Sequence, residues 1–404
     1  MDLKSGYPYW AIKNGLMHAF PQLHADLRCD VAIIGGGITG ALIAHEFARH
    51  GHEVAVLEQR DIGWGSTAAS TALLQYEIDT HMVDLAKQYG EAEAALAYTA
   101  CAAAVAMLTQ LAHEVRDVGF SRSDSLYYAS KRGHARDLRE ECALRKRHGL
   151  DVELIQADAL QARYGLDAPV AILSTQAAWI DPYRMTYRML MQLQKQGAGV
   201  FDRTVVDTIQ TTPRGVILRT LDGHCVRAKH VVLAGGYANQ HWLRQKVASN
   251  RSSYAFITDP IDATLLGRLQ HTMVWESARP YLYLRTTSDH RLLVGGEDDA
   301  IDIPTRRDAR VDRKSRILMK QVHKLFPHLP LKPAFAWAGT FAETRDGLPF
   351  FGPHPQHGPR VHFAMAYGGN GITYSMLGAG LLRALVERRR HPLASLFSFK
   401  RLDR

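Results

Sequence analysis

Two apolar runs flank a glycine-rich stretch and an amphipathic one between Asp30 and Gln59, where the chain reads DVAIIGGGITGALIAHEFARHGHEVAVLEQ. VAII is an apolar run of the kind required by a strand covered on both faces. Three glycines follow. Ala41, Ala44, Phe47 and Ala48 then recur on one helical face before Gly51 offers a C-cap. EVAVLE is a second buried strand, so the segment predicts strand, helix and strand with a glycine turn at the first corner. Two later segments repeat half of this arrangement. AKHVVLAGGYAN (Ala228 to Asn239) predicts a buried strand entering a glycine turn, and AYGGNGITYSMLGAGLLRALV (Ala366 to Val386) a glycine turn opening a helix. The run from Ala94 to Ala112 carries no formal charge and is long enough to span a bilayer. Its many alanines, with Thr99, Thr109 and Gln110, make it weakly hydrophobic for that length, so a buried helix is expected instead of a transmembrane segment.

The glycines carry the first chemistry. Gly35, Gly37 and Gly40 fall in the pattern G-x-G-x-x-G. The first permits a tight turn, the second lets backbone approach a pyrophosphate, and the third lets the helix opened by Ile38 and Thr39 pack closely on the strand. Glu58 stands 18 residues after Gly40, where such a unit places an acid to accept hydrogen bonds from an adenosine ribose. An acid there also argues against a 2′-phosphate, hence against NADP. A glycine triplet alone is weak evidence, but strand, glycines, helix, strand and acid in register favour a dinucleotide site over an unrelated glycine-rich turn. The next segment, RDIGWGSTAASTALLQ (Arg60 to Gln75), offers small backbone and hydroxyls at Gly63, Gly65, Ser66 and Thr67. These could reach a pyrophosphate or a ribityl chain, although a solvated turn is the plain alternative. Ala234, Gly235 and Gly236 give a second close backbone approach. A helix N-terminus at Gly371, Ile372 and Thr373 directs amides at an anion, and the set together favours FAD over NAD.

At 404 residues the chain has room for two domains, and 46% apolar with 22% charged residues describes a globular protein. The 49 basic and 40 acidic side chains leave a net charge of +9, but the basic residues are scattered. Their densest group, Arg388, Arg389 and Arg390, reads as the solvated end of a helix, so no nucleic-acid partner is expected. Cys29, Cys101, Cys142 and Cys225 lie far apart without metal-ligand or redox spacing, which fits reduced thiols and a cytoplasmic location. MDLKSGYPYWAIKNGL has neither the apolar core nor the cleavage site of a signal peptide. His354 and His357 share a proline-rich loop expected at the surface, and no third ligand is spaced to make a metal site.

Six further pieces extend the likeness beyond the dinucleotide fingerprint. They are WIDPYR (Trp179 to Arg184), VVLAGG, FITDPI (Phe256 to Ile261), YLYLRTTSDHRLLVGGEDD (Tyr281 to Asp299), WAGTFAETRDGLPFFGP (Trp337 to Pro353) and YGGNGIT. In content and order they resemble the FAD-dependent D-amino acid oxidase family. Gly63-Trp64-Gly65, Thr258 to Pro260, and YLR ahead of RLLVGG are most similar to its gamma-glutamylputrescine oxidase and glycine oxidase-like members. The resemblance implies an α/β protein with a Rossmann-like FAD-binding domain built from residues 1–90, 150–245 and 333–404. It also implies an α+β substrate domain of residues 91–149 and 246–332, whose antiparallel sheet roofs the substrate cavity. Non-covalent FAD would be held by Gly35, Gly37, Ile38, Thr39, Gly40, Glu58, Gln59, Gly65, Ser66, Thr67, Val205, Val206, Ala234, Gly235, Gly236, Gly339, Gly369, Asn370, Gly371, Ile372 and Thr373. The implied activity is dehydrogenation of a C–N bond in a small amine or amino acid, with hydride passing to flavin N5 and oxygen or a quinone accepting the electrons. Tyr254, Tyr283, Arg285, Phe341, Tyr367 and Gln75 are the implied substrate-pocket residues, and no catalytic base is nominated.

Three departures shape that expectation. The family commonly places an arginine in a Gly-x-Arg-Pro run, where it pairs with a substrate carboxylate. Here the run is GTFAETRDG with Phe341 at that position, which leaves Arg285 and Arg345 as the arginines that could replace it. AASTALLQ stands where the family has Arg-Asn-Gly-Gly, giving an apolar floor of Thr71, Ala72, Leu73 and Leu74 with Gln75 as the nearest polar group. No cysteine follows Cys225, which excludes a flavin attached to a C-terminal cysteine. Two other readings stay open: a 2-hydroxy-acid dehydrogenase of the same fold, and a subunit whose flavin serves structure or electron relay.

Overall fold

A computed structural model describes residues 2–365 and 367–403; Met1, Ala366 and Arg404, and with them the first residue of AYGGNGIT, lie outside the described residues. Two sheets organise the chain. The first runs in the order Phe350–Pro353, Val361–Met365, Cys225–Leu233, Leu27–Ile34, Val54–Leu57, Gly199–Phe201. The last five of these strands are mutually parallel, as the strand, helix, strand pattern predicts. Val31, Ala32 and Ile33 are fully buried because the strand is covered on both faces. Val31 and Ile33 join a core with the helices Ile38–Ala48, Pro182–Lys195 and Gly371–Val386, and Ala32 joins Leu218, Val226 and Phe363 on the opposite side. The first helix stops at Ala48, earlier than expected. Gly51 instead makes the left-handed turn after it (φ +83°), with its amide on the Ala48 carbonyl at 3.0 Å.

The second sheet runs in the order Pro333–Glu343, Ser249–Thr258, Leu292–Asp299, Leu282–Thr286, Thr272–Glu276, Ser121–Tyr128, Val170–Trp179, Leu73–Leu74, with Val152–Gln156 also on Val170–Trp179. Its pairs are antiparallel except Thr272–Glu276 with Ser121–Tyr128. Sheet membership cuts across the expected segments. Leu73–Leu74, Val152–Gln156, Val170–Trp179 and Pro333–Glu343 all fall in segments assigned to the nucleotide domain, yet they hydrogen-bond in the second sheet. An apolar run such as VAILS reads the same in any strand buried on both faces, so composition does not say which sheet takes it.

The helix Glu91–Val115 is long and apolar enough to cross a membrane by length and composition. In this fold Ala97, Tyr98, Cys101, Ala104 and Leu108 are buried, and the helix packs against Met82–Tyr89 and Gly371–Val386. Beneath it Arg145, fully buried, donates from Nε to Glu141 at 2.8 Å and lies 3.8 Å from Glu77. The Glu141 carboxylate in turn accepts the amides of Met82 and Val83 at 2.9 and 3.0 Å, at the start of the helix Met82–Tyr89. His354, expected at the surface, is buried. It meets the Phe399 ring edge-on at 4.9 Å and accepts the Gln356 amide at 3.2 Å.

Candidate active site

The strands Leu27–Ile34, Val54–Leu57 and Cys225–Leu233 end at a cavity whose other walls come from the second sheet, through Ser253, Tyr283, Asp298, Gly339 and Phe341. This is the place where parallel sheets of this type take their ligands, outside the C-terminal ends of the strands. Gly35 lies on the wall with φ +119°, and a Cβ there would stand 2.5 Å from the Ala234 carbonyl oxygen. Only glycine allows both that conformation and that approach. Gly40 is not on the wall. It lies one turn into the helix, where a Cβ would come within 1.9 Å of the Gly35 carbonyl oxygen, so it sets how closely the helix rests on the turn.

Of the residues expected to hold a dinucleotide, all but Gly40 and Thr373 line this cavity. Thr373 faces away and donates its hydroxyl to the Gln75 carbonyl at 3.0 Å, which ties the floor segment to the start of the helix Gly371–Val386. Thr67 accepts the Ile38 amide at 2.9 Å, capping the first helix from the glycine-hydroxyl loop. Thr39 and Ser375 share a hydrogen bond of 2.7 Å, so the two helices that begin at the cavity are joined near their first turns. Glu58 accepts the Gly36 amide at 2.7 Å and the Arg60 amide at 2.9 Å, and burial pushes its carboxyl above the ordinary range. Further donors from a bound sugar would favour its ionised form. Asn239 was not foreseen. Its side chain accepts the Gly235 amide at 3.1 Å and donates to the Leu233 and Ala364 carbonyls at 2.8 and 3.0 Å, fastening two parallel strands at the cavity edge. No periodic pattern marks it.

At the other end of the cavity Tyr254, Tyr283, Phe341, Tyr367 and Gln75 line the wall, and one of the expected residues does not. Tyr254 also belongs to the core of the second sheet, and its hydroxyl donates to Asp299 at 3.2 Å. Arg285 does not reach the cavity. It shares a face with Tyr283 but stands about 7 Å further along the strand, given the rise per residue. There it is enclosed by the Trp10 and Trp179 rings at 5.5 and 5.0 Å and donates to the Thr71 and Thr286 carbonyls at 2.7 and 3.0 Å. Burial pushes its pKa down to about 9. Arg345 is exposed in the turn after Pro333–Glu343 and is also absent from the wall. Neither arginine replaces the missing carboxylate anchor.

Acids and aromatic rings occupy that end instead: Asp79, Asp298, Glu343, Tyr237, Tyr281 and Trp275. Asp79 accepts the Gly369 amide at 2.9 Å. Glu343 is paired with Arg251 and lies 4.0 Å from Arg279. Asp298 has Ser253 beside it, but its Oδ1 is shut off from solvent and meets no donor among the described residues. Burial, with Glu343 and Asp79 nearby, raises its pKa to about 7. The sequence shows these acids in GGEDD but cannot tell Asp298 from its neighbours. Glu297 takes φ +55° and the pairing with Ser249–Thr258 slips between Ser252 and Tyr254, so alternation fails where it is needed.

The family model described as FAD dependent oxidoreductase matches residues 30–385. The chain belongs to that family. FAD is its cofactor, and since no cysteine lines the cavity, no cysteine is placed to attach it. The gamma-glutamylputrescine oxidoreductase of Escherichia coli (strain K12) is 26% identical over 390 residues, covering 94% of this chain and 88% of that one. The glycine oxidase of Geobacillus kaustophilus is 26% identical over 377 residues, covering 90% and 94%. In fold, the crystal structure of L-proline dehydrogenase from P. horikoshii superposes with a TM-score of 0.78 over 94% of this chain and 98% of that chain, at 19% identity.

Proposed function

We propose that this FAD-dependent oxidoreductase dehydrogenates the C–N bond of a small amine or amino acid. The observation that carries the reading is the single cavity that joins the glycine turn and Glu58 at one end to an aromatic chamber at the other. When bound, FAD supplies the acceptor for a hydride from the carbon bearing the nitrogen. In this reading the Gly35 turn and the helix N-terminus at Gly37 cradle the pyrophosphate, and Glu58 takes the ribose hydroxyls. Gly371 and Ile372 present the positive end of a helix dipole to the cavity, where negative charge would develop. Tyr237, Tyr281, Tyr283 and Trp275 exclude water from the reacting carbon. The relatives named for amine and amino-acid oxidation support the same chemistry.

Oxygen or a quinone is the acceptor in this reading, and the cytoplasm the location, the latter supported by four cysteines that are all free and buried. The purified protein should be yellow, and an amine substrate added without oxygen should bleach the flavin band. A yellow protein that no amine, amino acid or hydroxy acid bleaches would overturn the proposal, and bleaching by hydroxy acids alone would move it to the C–O bond.

A further inference from the structure

The chamber end of the cavity is built for a different charge from that of an α-amino acid's carboxylate. Resting on the C–N reading above, we propose that it selects amines that carry positive charge and no carboxylate beside the reacting carbon, with Asp298 holding the ammonium and, where that nitrogen is the one oxidised, taking its proton before hydride leaves the carbon. Among the described wall residues one guanidinium, Arg60, faces the cavity, and it stands with Glu58 and Asp2 at the opposite end. A carboxylate entering the chamber would meet Asp79, Asp298 and Glu343 with no arginine or lysine on the wall to receive it, and Phe341 offers it no hydrogen bond.

The three acids are not equivalent. Glu343 is engaged by Arg251 and Arg279, which stand behind it and off the wall, and Asp79 is engaged by the Gly369 amide. Asp298 alone has an enclosed oxygen without a donor, and an unmet buried acceptor of this kind is costly unless an occupant supplies the hydrogen bond. An ammonium does so and also favours the ionised form of the carboxylate. Tyr237 and Tyr283 lie close enough to Asp79 to feel its charge, and Tyr283 that of Asp298 as well. Their ring faces and that of Tyr281 suit a cation as readily as a methylene chain.

The test uses the holoprotein and two probes that cannot be oxidised, tert-butylammonium, which keeps its N–H donors but has no hydrogen on the carbon bearing nitrogen, and acetate, titrated by perturbation of the flavin spectrum. It then compares anaerobic flavin reduction by butylamine and 1,4-diaminobutane with reduction by N-methylglycine and D-alanine. tert-Butylammonium should bind where acetate does not, and the amines should reduce the flavin at least 100-fold more efficiently than the amino acids. tert-Butylammonium should bind more tightly as pH rises through 7, as Asp298 ionises against Asp79, Glu343, Arg251 and Arg279. Asp298→Asn should weaken that binding at least tenfold at pH 8, leave it little changed at pH 6, and keep the flavin spectrum of the folded protein. Acetate binding as tightly as tert-butylammonium, N-methylglycine matching the amines, or Asp298→Asn binding the cation as well as the parent would each overturn the proposal. Should the cation bind while nothing reduces the flavin, the C–N reading falls and the cation selection stands.

Discussion

A methyl group at Gly40 would stand 1.9 Å from the Gly35 carbonyl oxygen, so Gly40→Ala must lift the helix Ile38–Ala48 away from the turn beneath it. Overpacking of this kind costs about 1–3 kcal/mol. The variant should melt lower than the parent and purify with less flavin per chain, although Gly40 never touches the cavity. Glu58→Gln removes the ionised acceptor but keeps its shape. Hydrogen bonds to a charged group contribute about 1.5–3 kcal/mol, so FAD affinity measured by fluorescence on dilution should fall at least tenfold. Asp298 gives a pH signature. Its pKa is raised to about 7, so the folded chain keeps a proton that the unfolded chain has already lost. The group therefore reduces stability progressively as pH rises from about 4, its unfolded value, towards 7. Without a cation present, Asp298→Asn should raise the melting temperature above pH 7 and leave it unchanged below about pH 4. An equal gain at both ends would contradict the assignment.

Among the elements, the helix Met82–Tyr89 depends on a carboxylate from elsewhere in the chain, since Glu141 accepts its first amides while paired to Arg145. Arg145→Met leaves that carboxylate, and Glu77 near it, buried without a cation. Breaking a buried pair in this way costs about 3–5 kcal/mol, which urea unfolding would register directly. The first strand, helix and strand are legible in the sequence because apolar period, glycine spacing and the acid all agree on one unit. The wall residues contributed by backbone, Gly35, Ala234 and Gly371 among them, are legible for the same reason. What escapes is set by contacts far apart in the chain. VAILS does not reveal which sheet it joins, Asn239 acts through carbonyls of two strands, and Asp298 is aimed by a bulge. Arg285 misleads because its residue type fits the missing anchor while its position along the strand does not.

Over the whole molecule, no cysteine is available to tether the cofactor, because all four are buried away from the cavity. Acid or heat denaturation should release all of the flavin into a protein-free filtrate, and colour left on the precipitate would contradict this. The two sheets are also threaded through each other. Leu73–Leu74 leaves the nucleotide half early for the second sheet, and Pro333–Glu343 completes that sheet only shortly before Val361–Met365 completes the first. A ribosome making this chain must therefore release nearly all of it before either sheet can close. A nascent chain arrested ahead of residue 361 would lack both a flank of the parallel sheet and the helix Gly371–Val386, and so should emerge colourless however much FAD surrounds it.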